Sequence, residues 1–382
     1  MRYRTLGRTG LSVSEIGLGC EHLQGKDYAV VKAAIDEALA QGINIFDIFM
    51  SEPQIRTDIG KALAGRREKV LIQGHLGATW KDGQYALSRD ATDVKIAFDD
   101  LMTRLNTDYI DIGMLHFVDS EKGYDNVFNG PIIELALDLK KKGIIKTIGL
   151  GSHNITLSKR AVETGLIDVL MFSLNPAFDI MPSAMSMEDM MGEENAKNSL
   201  LRQLNADRMA LYQTCEQQGT AITVMKTYMA GRLLDAQKSP FGMALTTEQC
   251  IHFSLTRPAV ASALIGCITP EEVRAAVAYE RATDAQRDFS QVFTSAKCEA
   301  LGKCVYCNHC LPCPAFIDIA MVNKYLDLAE AADKIPPSVR DHYNAMAHPA
   351  SDCTACGKCE ERCPFAVPVY QRMKKAIDIF GS

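Results

Sequence analysis

Over the first 290 residues, short and nearly continuous apolar runs alternate with stretches whose apolar positions recur every three to four residues. The runs at 16–19, 43–49, 69–75, 109–116, 144–152, 169–175, 221–226 and 261–267 are rich in Ile, Val and Leu and read as strands. Between them the periodicity predicts helices over 27–41, 93–105, 132–142 and 270–282. In the first of these, Val30, Val31, Ala34, Ile35, Ala38 and Leu39 share one face, and Gly42 stops the helix. Strands that are apolar on both faces, each followed by a helix, predict a parallel sheet; eight such units predict an α/β fold closed as a (β/α)8 TIM barrel. An open doubly wound sheet is the competing arrangement, but no Gly-rich fingerprint follows the first strand. Past residue 290 the alternation ends, and between the two cysteine runs helices are expected over 317–332 and 338–346, the second led by Pro336-Pro337 with Ser338 as its cap. The expected division is a barrel over 1–290 followed by a small, mostly helical domain over 291–382.

The cysteines say what the small domain is for. Of thirteen, four (Cys20, Cys215, Cys250 and Cys267) are scattered through the barrel region and read as inert core residues, while nine crowd between Cys298 and Cys363. The crowded region contains Cys304-x2-Cys307-x2-Cys310-x2-Cys313-Pro314 and Cys353-x2-Cys356-x2-Cys359-x3-Cys363-Pro364. Three thiolates at this spacing can hold three corners of a [4Fe–4S] cubane, and the displaced Cys before Pro ligates the other cluster in two-cluster ferredoxins. The rule assigns Cys304, Cys307, Cys310 and Cys363 to one cluster, and Cys353, Cys356, Cys359 and Cys313 to the other. Cys313 follows two residues rather than three after its neighbour, which departs from the ferredoxin pattern. Paired zinc sites use the same C-x2-C spacing, but they do not call for tandem runs that each end in Cys-Pro. Two adjacent clusters point to electron transport.

Composition excludes some partners. With 47% hydrophobic and 23% charged residues, the chain has the make-up of a globular enzyme. A net charge of −6 with no Lys/Arg stripe argues against nucleic acid, and the lack of any 18-residue apolar run argues against a membrane span. The N-terminus has the look of neither a signal nor a transit peptide, so a cytoplasmic protein is expected.

In a barrel of this kind, chemistry sits at the C-terminal ends of the strands. Those ends carry Asp47, with Glu52 in the following loop, then His75, His116, Ser152, Asn175, Lys226 and Cys267. Glu52, His75 and His116 are candidates for general acid–base catalysis, with Asp47 orienting a His. Lys226 is a candidate for binding an anion or developing negative charge. Two His and a carboxylate could instead form an open metal site. After the eighth run, Thr269 is expected to cap a helix with Pro270 at its first position and Glu272 completing a capping box. With Gly231, Arg232 and Gly266, this is where barrels bind phosphate at a helix N-terminus. The acidic, Met-rich stretch 178–198 (Met181, Met185, Met187, Met190, Met191) reads as a surface loop or a lid.

Taken together, the sequence resembles the aldo/keto reductase family, in particular its branch with a C-terminal two-cluster ferredoxin-like domain. The resemblance is carried by Tyr3-Arg4-Thr5-Leu6-Gly7-Arg8-Thr9-Gly10-Leu11-Ser12-Val13-Ser14-Glu15-Ile16-Gly17-Leu18-Gly19, by Gly42-Ile43-Asn44-Ile45-Phe46-Asp47, by Ile59-Gly60-Lys61-Ala62-Leu63, and by Asp108-Tyr109-Ile110-Asp111 with Leu115-His116. It implies the barrel, independently of the periodicity, and a site that pairs a proton-donating Tyr with Lys, Asp and His. Asp47 and His116 match that pattern. The Tyr position holds Glu52 and the Lys position holds His75. Where the family usually grips the nicotinamide amide, the chain has Gly151-Ser152 and Met171, and Lys226 stands where an aromatic ring often stacks. These departures argue against hydride transfer in the family's usual manner.

Iron–sulfur clusters pass electrons singly, whereas a nicotinamide delivers a hydride. Joining the two calls for a flavin, a redox metal or a radical-tolerant substrate. The expected protein is thus an iron–sulfur oxidoreductase whose clusters relay electrons to or from a small-molecule substrate in the barrel mouth, served by a redox partner such as a ferredoxin or flavodoxin. NADP or a flavin such as FMN would suit the phosphate site. The alternatives are an NADPH-dependent carbonyl reductase with structural or regulatory clusters, and a non-enzymatic electron-transfer or sensor protein with a degenerate barrel.

Overall fold

The computed structural model describes residues 1–180, 205–295 and 301–382; most of the Met-rich stretch, and Cys298, lie outside the described residues. Twelve strands are described: β1 (Tyr3–Thr5), β2 (Ser12–Ser14), β3 (Ile16–Gly19), β4 (Ile45–Ile48), β5 (Leu71–Leu76), β6 (Ala78–Lys81), β7 (Gln84–Leu87), β8 (Ile110–Leu115), β9 (Ile145–Ser152), β10 (Val169–Ser173), β11 (Ala221–Met225) and β12 (Val260–Gly266). Eight of them, β3, β4, β5, β8, β9, β10, β11 and β12, close into a parallel barrel in sequence order. They coincide with the eight apolar runs to within two residues at each end, because strands buried on both faces need no alternation. Thr269 caps Pro270–Val277 with the expected capping box to Glu272.

Two compact units divide the chain. The first comprises Met1–Ser173, Thr220–Thr227 and Val260–Glu280, and holds the whole barrel wall. The β1–β2 hairpin contributes Leu6 and Val13 to a core cluster with Ile45, Val169 and Ala221 from the starts of three strands, so it plugs the N-terminal end of the barrel. At the opposite end β5 runs into a second hairpin, β6–β7, an element the strand–helix rhythm does not predict. Its turn is Asp82-Gly83, both residues having positive φ, as a tight two-residue hairpin requires.

The second unit comprises Leu174–Gly219, Tyr228–Ala259 and Arg281–Ser382. It holds the helices that follow strands six and seven of the barrel, Ala206–Gln218 and Thr247–Thr256, together with the cysteine-rich segment. A row of rings runs through it, with Phe253 and Phe289 centred 5.1 Å apart, then Phe293 and Phe365 at 6.2 Å steps. Buried Arg208 pairs with Asp179, whose Oδ1 also accepts from Tyr212. The helices Ile319–Glu330, Pro337–Asn344 and Val369–Phe380 frame the C-terminal part, with Tyr343 stacked on Phe380 at 4.0 Å. Ser338 does not cap its helix: Pro337 takes the first helical position, and Ser338 donates instead to Glu216. Among the described residues, no helix is long and apolar enough to cross a membrane.

Candidate proton-transfer and iron–sulfur sites

The barrel register sets Asp47 on β4 opposite Gln73 on β5, and Met171 on β10 opposite Thr223 on β11. From that layer a line of hydrogen bonds climbs to the C-terminal mouth. Thr223 Oγ1 donates to Gln73 Oε1 (2.9 Å), and Gln73 Nε2 donates to Asp47 Oδ1 (2.9 Å), with Met171 Sδ as a second acceptor at 3.3 Å. His75 Nε2 lies 3.0 Å from the same carboxylate oxygen. His75 Nδ1 and His116 Nδ1 face one another at 2.7 Å, and His116 Nε2 meets the hydroxyl of Tyr85 at 2.9 Å. Phe49 stacks on His116 with its ring 13° from parallel.

The donors along this line can be assigned from one end. With Asp47 ionised, His75 donates through Nε2 and so accepts at Nδ1. His116 must then donate through Nδ1 and accept at Nε2, where Tyr85 donates its O–H. Three hydrogen bonds therefore point inward from a half-exposed phenol to a buried carboxylate, and every imidazole nitrogen has a protein partner. Burial, and then the neighbouring His75, Arg89 and His153, drive His116 well below the ordinary imidazole range, so it is neutral at pH 7. Burial raises Tyr85 above the usual phenol value, and the charge of Arg89 opposes that rise.

Arg89 donates to Phe117 O at 2.8 Å, while its Nε and Nη1 are enclosed without a hydrogen-bond partner among the described residues. Two backbone features admit it. Gly77, at φ 117°, leaves space where a Cβ would stand 3.0 Å from Arg89 Nη1. Phe117 takes φ 53°, a left-handed conformation costly for a bulky residue, directly after His116. Beside it, His153 Nδ1 and Asp119 form a 2.7 Å pair that holds the Asp119 carboxyl below its usual range.

The other sequence candidates take different places. Glu52 accepts from Ile55 N at 2.8 Å as the N-cap of Pro53–Ala62. Lys226 follows β11 half-buried in a left-handed conformation, φ 62°. Ser152 is buried, with Oγ 2.8 Å from both Val118 O and Asp119 Oδ1, and buried Asn175 accepts from Phe178 N. Gly231 has positive φ and leads the short turn Arg232–Leu234 in the second unit. Gly266 lies against the His22 ring, where a Cβ would come within 2.4 Å. At the Thr269 helix end, Ile268 N and Thr269 N both donate to Glu272 Oε2, at 2.6 and 3.2 Å. These donors already hold a carboxylate, so this end does not fit a cofactor phosphate unless Glu272 leaves. Tyr85, Gln73 and Arg89 are the functional candidates that strand ends alone do not reveal; the Asp-Gly turn between alternating residues is the signal that would have found the Tyr85 hairpin.

In the second unit, Cys304, Cys307, Cys310 and Cys363 line one cavity with apolar Val305, Ile319, Ala320, Phe365, Val367 and Val369. Cys313, Cys353, Cys356 and Cys359 line another, which Cys310 borders. No disulfide joins any described cysteine. Between the ligands, Tyr306, Asn308, Ala355 and Gly357 have positive φ. Left-handed residues alternating in this way turn backbone N–H groups inward, the concave nest typical of Fe–S sites. The backbone N–H of Tyr306 reaches the Cys304 sulfur and that of His309 reaches Cys307. Burial pushes the Cys304 thiol up to about 12 and the Cys307 and Cys310 thiols up as well, so the unligated sulfurs hold their protons and bound iron is what would remove them. The residues fit two four-cysteine cluster sites.

A closed parallel barrel with a Tyr–His–His–Asp line at its mouth, in a chain that also carries cysteine nests fitted to iron–sulfur clusters, is the make-up of an iron–sulfur oxidoreductase of the TIM-barrel class. The comparisons with known proteins agree, and the chain belongs to the aldo/keto reductase family. The family's sequence model matches residues 15–292, and that of the 4Fe-4S dicluster domain matches residues 300–367. One relative, the uncharacterized oxidoreductase YqkF of Bacillus subtilis (strain 168), is 29% identical over 285 residues, 72% of this chain and 89% of its own length. The L-galactose dehydrogenase of Arabidopsis thaliana is 31% identical over 182 residues, covering 44% of this chain and 54% of that protein. Among solved structures, the aldo-keto reductase AKR11C1 from Bacillus halodurans (holo form) superposes with a TM-score of 0.62 at 24% identity, over 78% of this chain and 97% of that one.

Proposed function

We propose that this oxidoreductase exchanges single electrons with a small organic substrate by way of two [4Fe–4S] clusters, and that the Tyr85–His116–His75–Asp47 line exchanges the accompanying proton. When bound, the clusters supply one-electron transfer. The chain's own residues supply the rest.

With a proton loaded on Asp47, the line points outward. Tyr85 gives its phenolic proton to the substrate and takes one from His116 Nε2. His116 Nδ1 is refilled from His75 Nδ1, and His75 Nε2 from Asp47, which returns to carboxylate. One proton leaves, one negative charge appears on Asp47, and no ring turns over. The reverse sequence removes a proton from the substrate. A lysine cannot do this, because its single nitrogen cannot accept at one atom and release at another; an imidazole can. His75 at the family's Lys position thus turns an electrostatic element into a relay, and Tyr85 on the β6–β7 hairpin supplies the phenol that Glu52 does not.

The observation that carries this reading is the unbroken hydrogen-bonded line from a half-exposed phenol to a buried carboxylate, in a chain that also has a dicluster domain. Family membership favours a second reading, an NADPH-dependent carbonyl reductase whose clusters are structural. Anaerobic purification, iron analysis and calorimetry with NADPH separate the two. The proposal expects about eight iron per chain, two clusters of four, and no NADPH heat. NADPH binding, with aldehyde turnover that persists after the iron is removed, would establish the second reading instead.

A further inference from the structure

Three arginines are among the largest fully buried side chains: Arg56, Arg208 and Arg257. The first two pair with carboxylates, Asp100 and Asp179. Arg257 has none among the described residues, although it is 1% exposed. Its Nη2 donates to Thr256 Oγ1 (3.0 Å) and Val305 O (2.7 Å), and its Nε has no hydrogen-bond partner among the described residues. The guanidinium lies 4.4 Å from the centre of the Phe253 ring and 5.1 Å from that of Tyr306. A permanent charge enclosed in this way is strongly disfavoured without an opposite charge nearby.

Its position places it against the cysteine loop. Val305 sits between Cys304 and Cys307, so Arg257 is hydrogen-bonded to the loop that holds two ligands of one cluster. Of the other cations close to this site, Arg372 pairs with Asp327 and His309 with Asp288, while Arg362 is exposed to solvent and donates to Cys310 O and Pro312 O. A cubane held by four thiolates is net negative, and more so by one charge after it accepts an electron. Six apolar residues line this cavity beside Asn308, His309 and Asn323, so most of its wall carries no charge to offset the added electron.

We propose that Arg257 is the counter-ion of the cluster held by Cys304, Cys307, Cys310 and Cys363, and that it keeps this enclosed cluster reducible. The inference rests on the ligand assignment made above. Arg257 touches no substrate; it is a positioning residue that acts through the electrostatic field at the cluster.

The test is an EPR-monitored potentiometric titration of the full chain with dithionite, one electron per cluster, comparing Arg257→Gln and Arg257→Lys with the unaltered protein. Gln keeps a donor for Val305 O and loses the charge; Lys keeps the charge and loses the fork. In Arg257→Gln one of the two midpoints should fall by at least a tenfold shift of its equilibrium, 59 mV for a one-electron couple, while the other stays in place. In Arg257→Lys both should remain near the original values. Two unmoved midpoints in a fully iron-loaded Arg257→Gln would overturn the inference. Should Arg257→Gln fail to hold iron, Arg257→Lys decides: retained iron and potential support a charge role, and joint loss overturns it in favour of packing. If the unaltered chain shows no pair of [4Fe–4S] signals, the cluster assignment itself fails and this inference goes with it.

Discussion

Replacing Asp47 with Asn removes the carboxylate that stores the relayed proton while keeping the hydrogen-bond pattern around it. Gln73 Nε2 is fixed as a donor, because it faces both the carboxylate and Met171 Sδ while its oxygen accepts from Thr223. An asparagine at position 47 is therefore obliged to present its carbonyl to Gln73 and to His75, and the donor order along the line is preserved. What disappears is the inner proton store and, with it, the attraction between the carboxylate and a positive charge on His75, 3.0 Å away, so the electrostatic figure is a lower bound on the loss. At an effective dielectric of about 20 that attraction is roughly 5.5 kcal/mol, or about 10^4 in rate. If the asparagine dipole and Gln73 make good half of it, the loss is still about 10^2. The assay is stopped-flow reoxidation of the dithionite-reduced protein by a panel of aldehydes and ketones, read at the cluster absorbance. Nitrogen-15 NMR of the two imidazoles provides the control, which should show unchanged tautomers. Reoxidation within threefold of the unaltered rate, with tautomers preserved, would refute the relay.

Further outcomes follow from the same geometry. Tyr85→Phe should slow the reaction by about a hundredfold or more; since Tyr85 is 45% exposed, its melting temperature by calorimetry should move only a few degrees. Glu52→Ala should lower stability by about 1 kcal/mol through loss of a helix cap and leave the reoxidation rate unchanged; a large rate loss would return Glu52 to the chemistry. His116 is depressed by burial, so between its folded value and about 6.5 the unfolded chain binds more protons than the native one. Stability is full above about pH 6.5 and falls by up to roughly 1.4 kcal/mol per unit below it; thermal unfolding followed from about pH 7 to 5 should show this, with a shallower loss in His116→Gln.

The barrel is readable from sequence because eight strands buried on both faces leave eight apolar runs, and the capping box at Thr269 and Glu272 is local enough to predict to the residue. The site is readable only in part. Strand ends place Asp47, His75 and His116 at one mouth, but the two imidazoles meet Nδ1 to Nδ1 because of rotamers that no pattern encodes. Tyr85 escapes for another reason. It lies on an inserted hairpin, and its partner is 31 residues away, so a resemblance read position by position finds Glu52 at the Tyr position and stops there. Glu52 and Ser152 show what the strand-end reading leaves out: their oxygens are engaged with nearby backbone groups, one as a helix cap and one at Val118 O. The cysteine runs suffer neither problem, since ligand spacing is itself the local constraint.

The second compact unit joins the helices Ala206–Gln218 and Thr247–Thr256 to the cysteine loops, with the Phe253–Phe289–Phe293–Phe365 row and Arg257 inside it. Ligand binding stabilises whatever folds together with the ligand's site. Iron supply is thereby written into the persistence of two helices that belong, by sequence, to the barrel. On the proposed cluster assignment, a chain without iron would have a less stable second unit, and proteolysis, which samples the opened state, would cut there more readily.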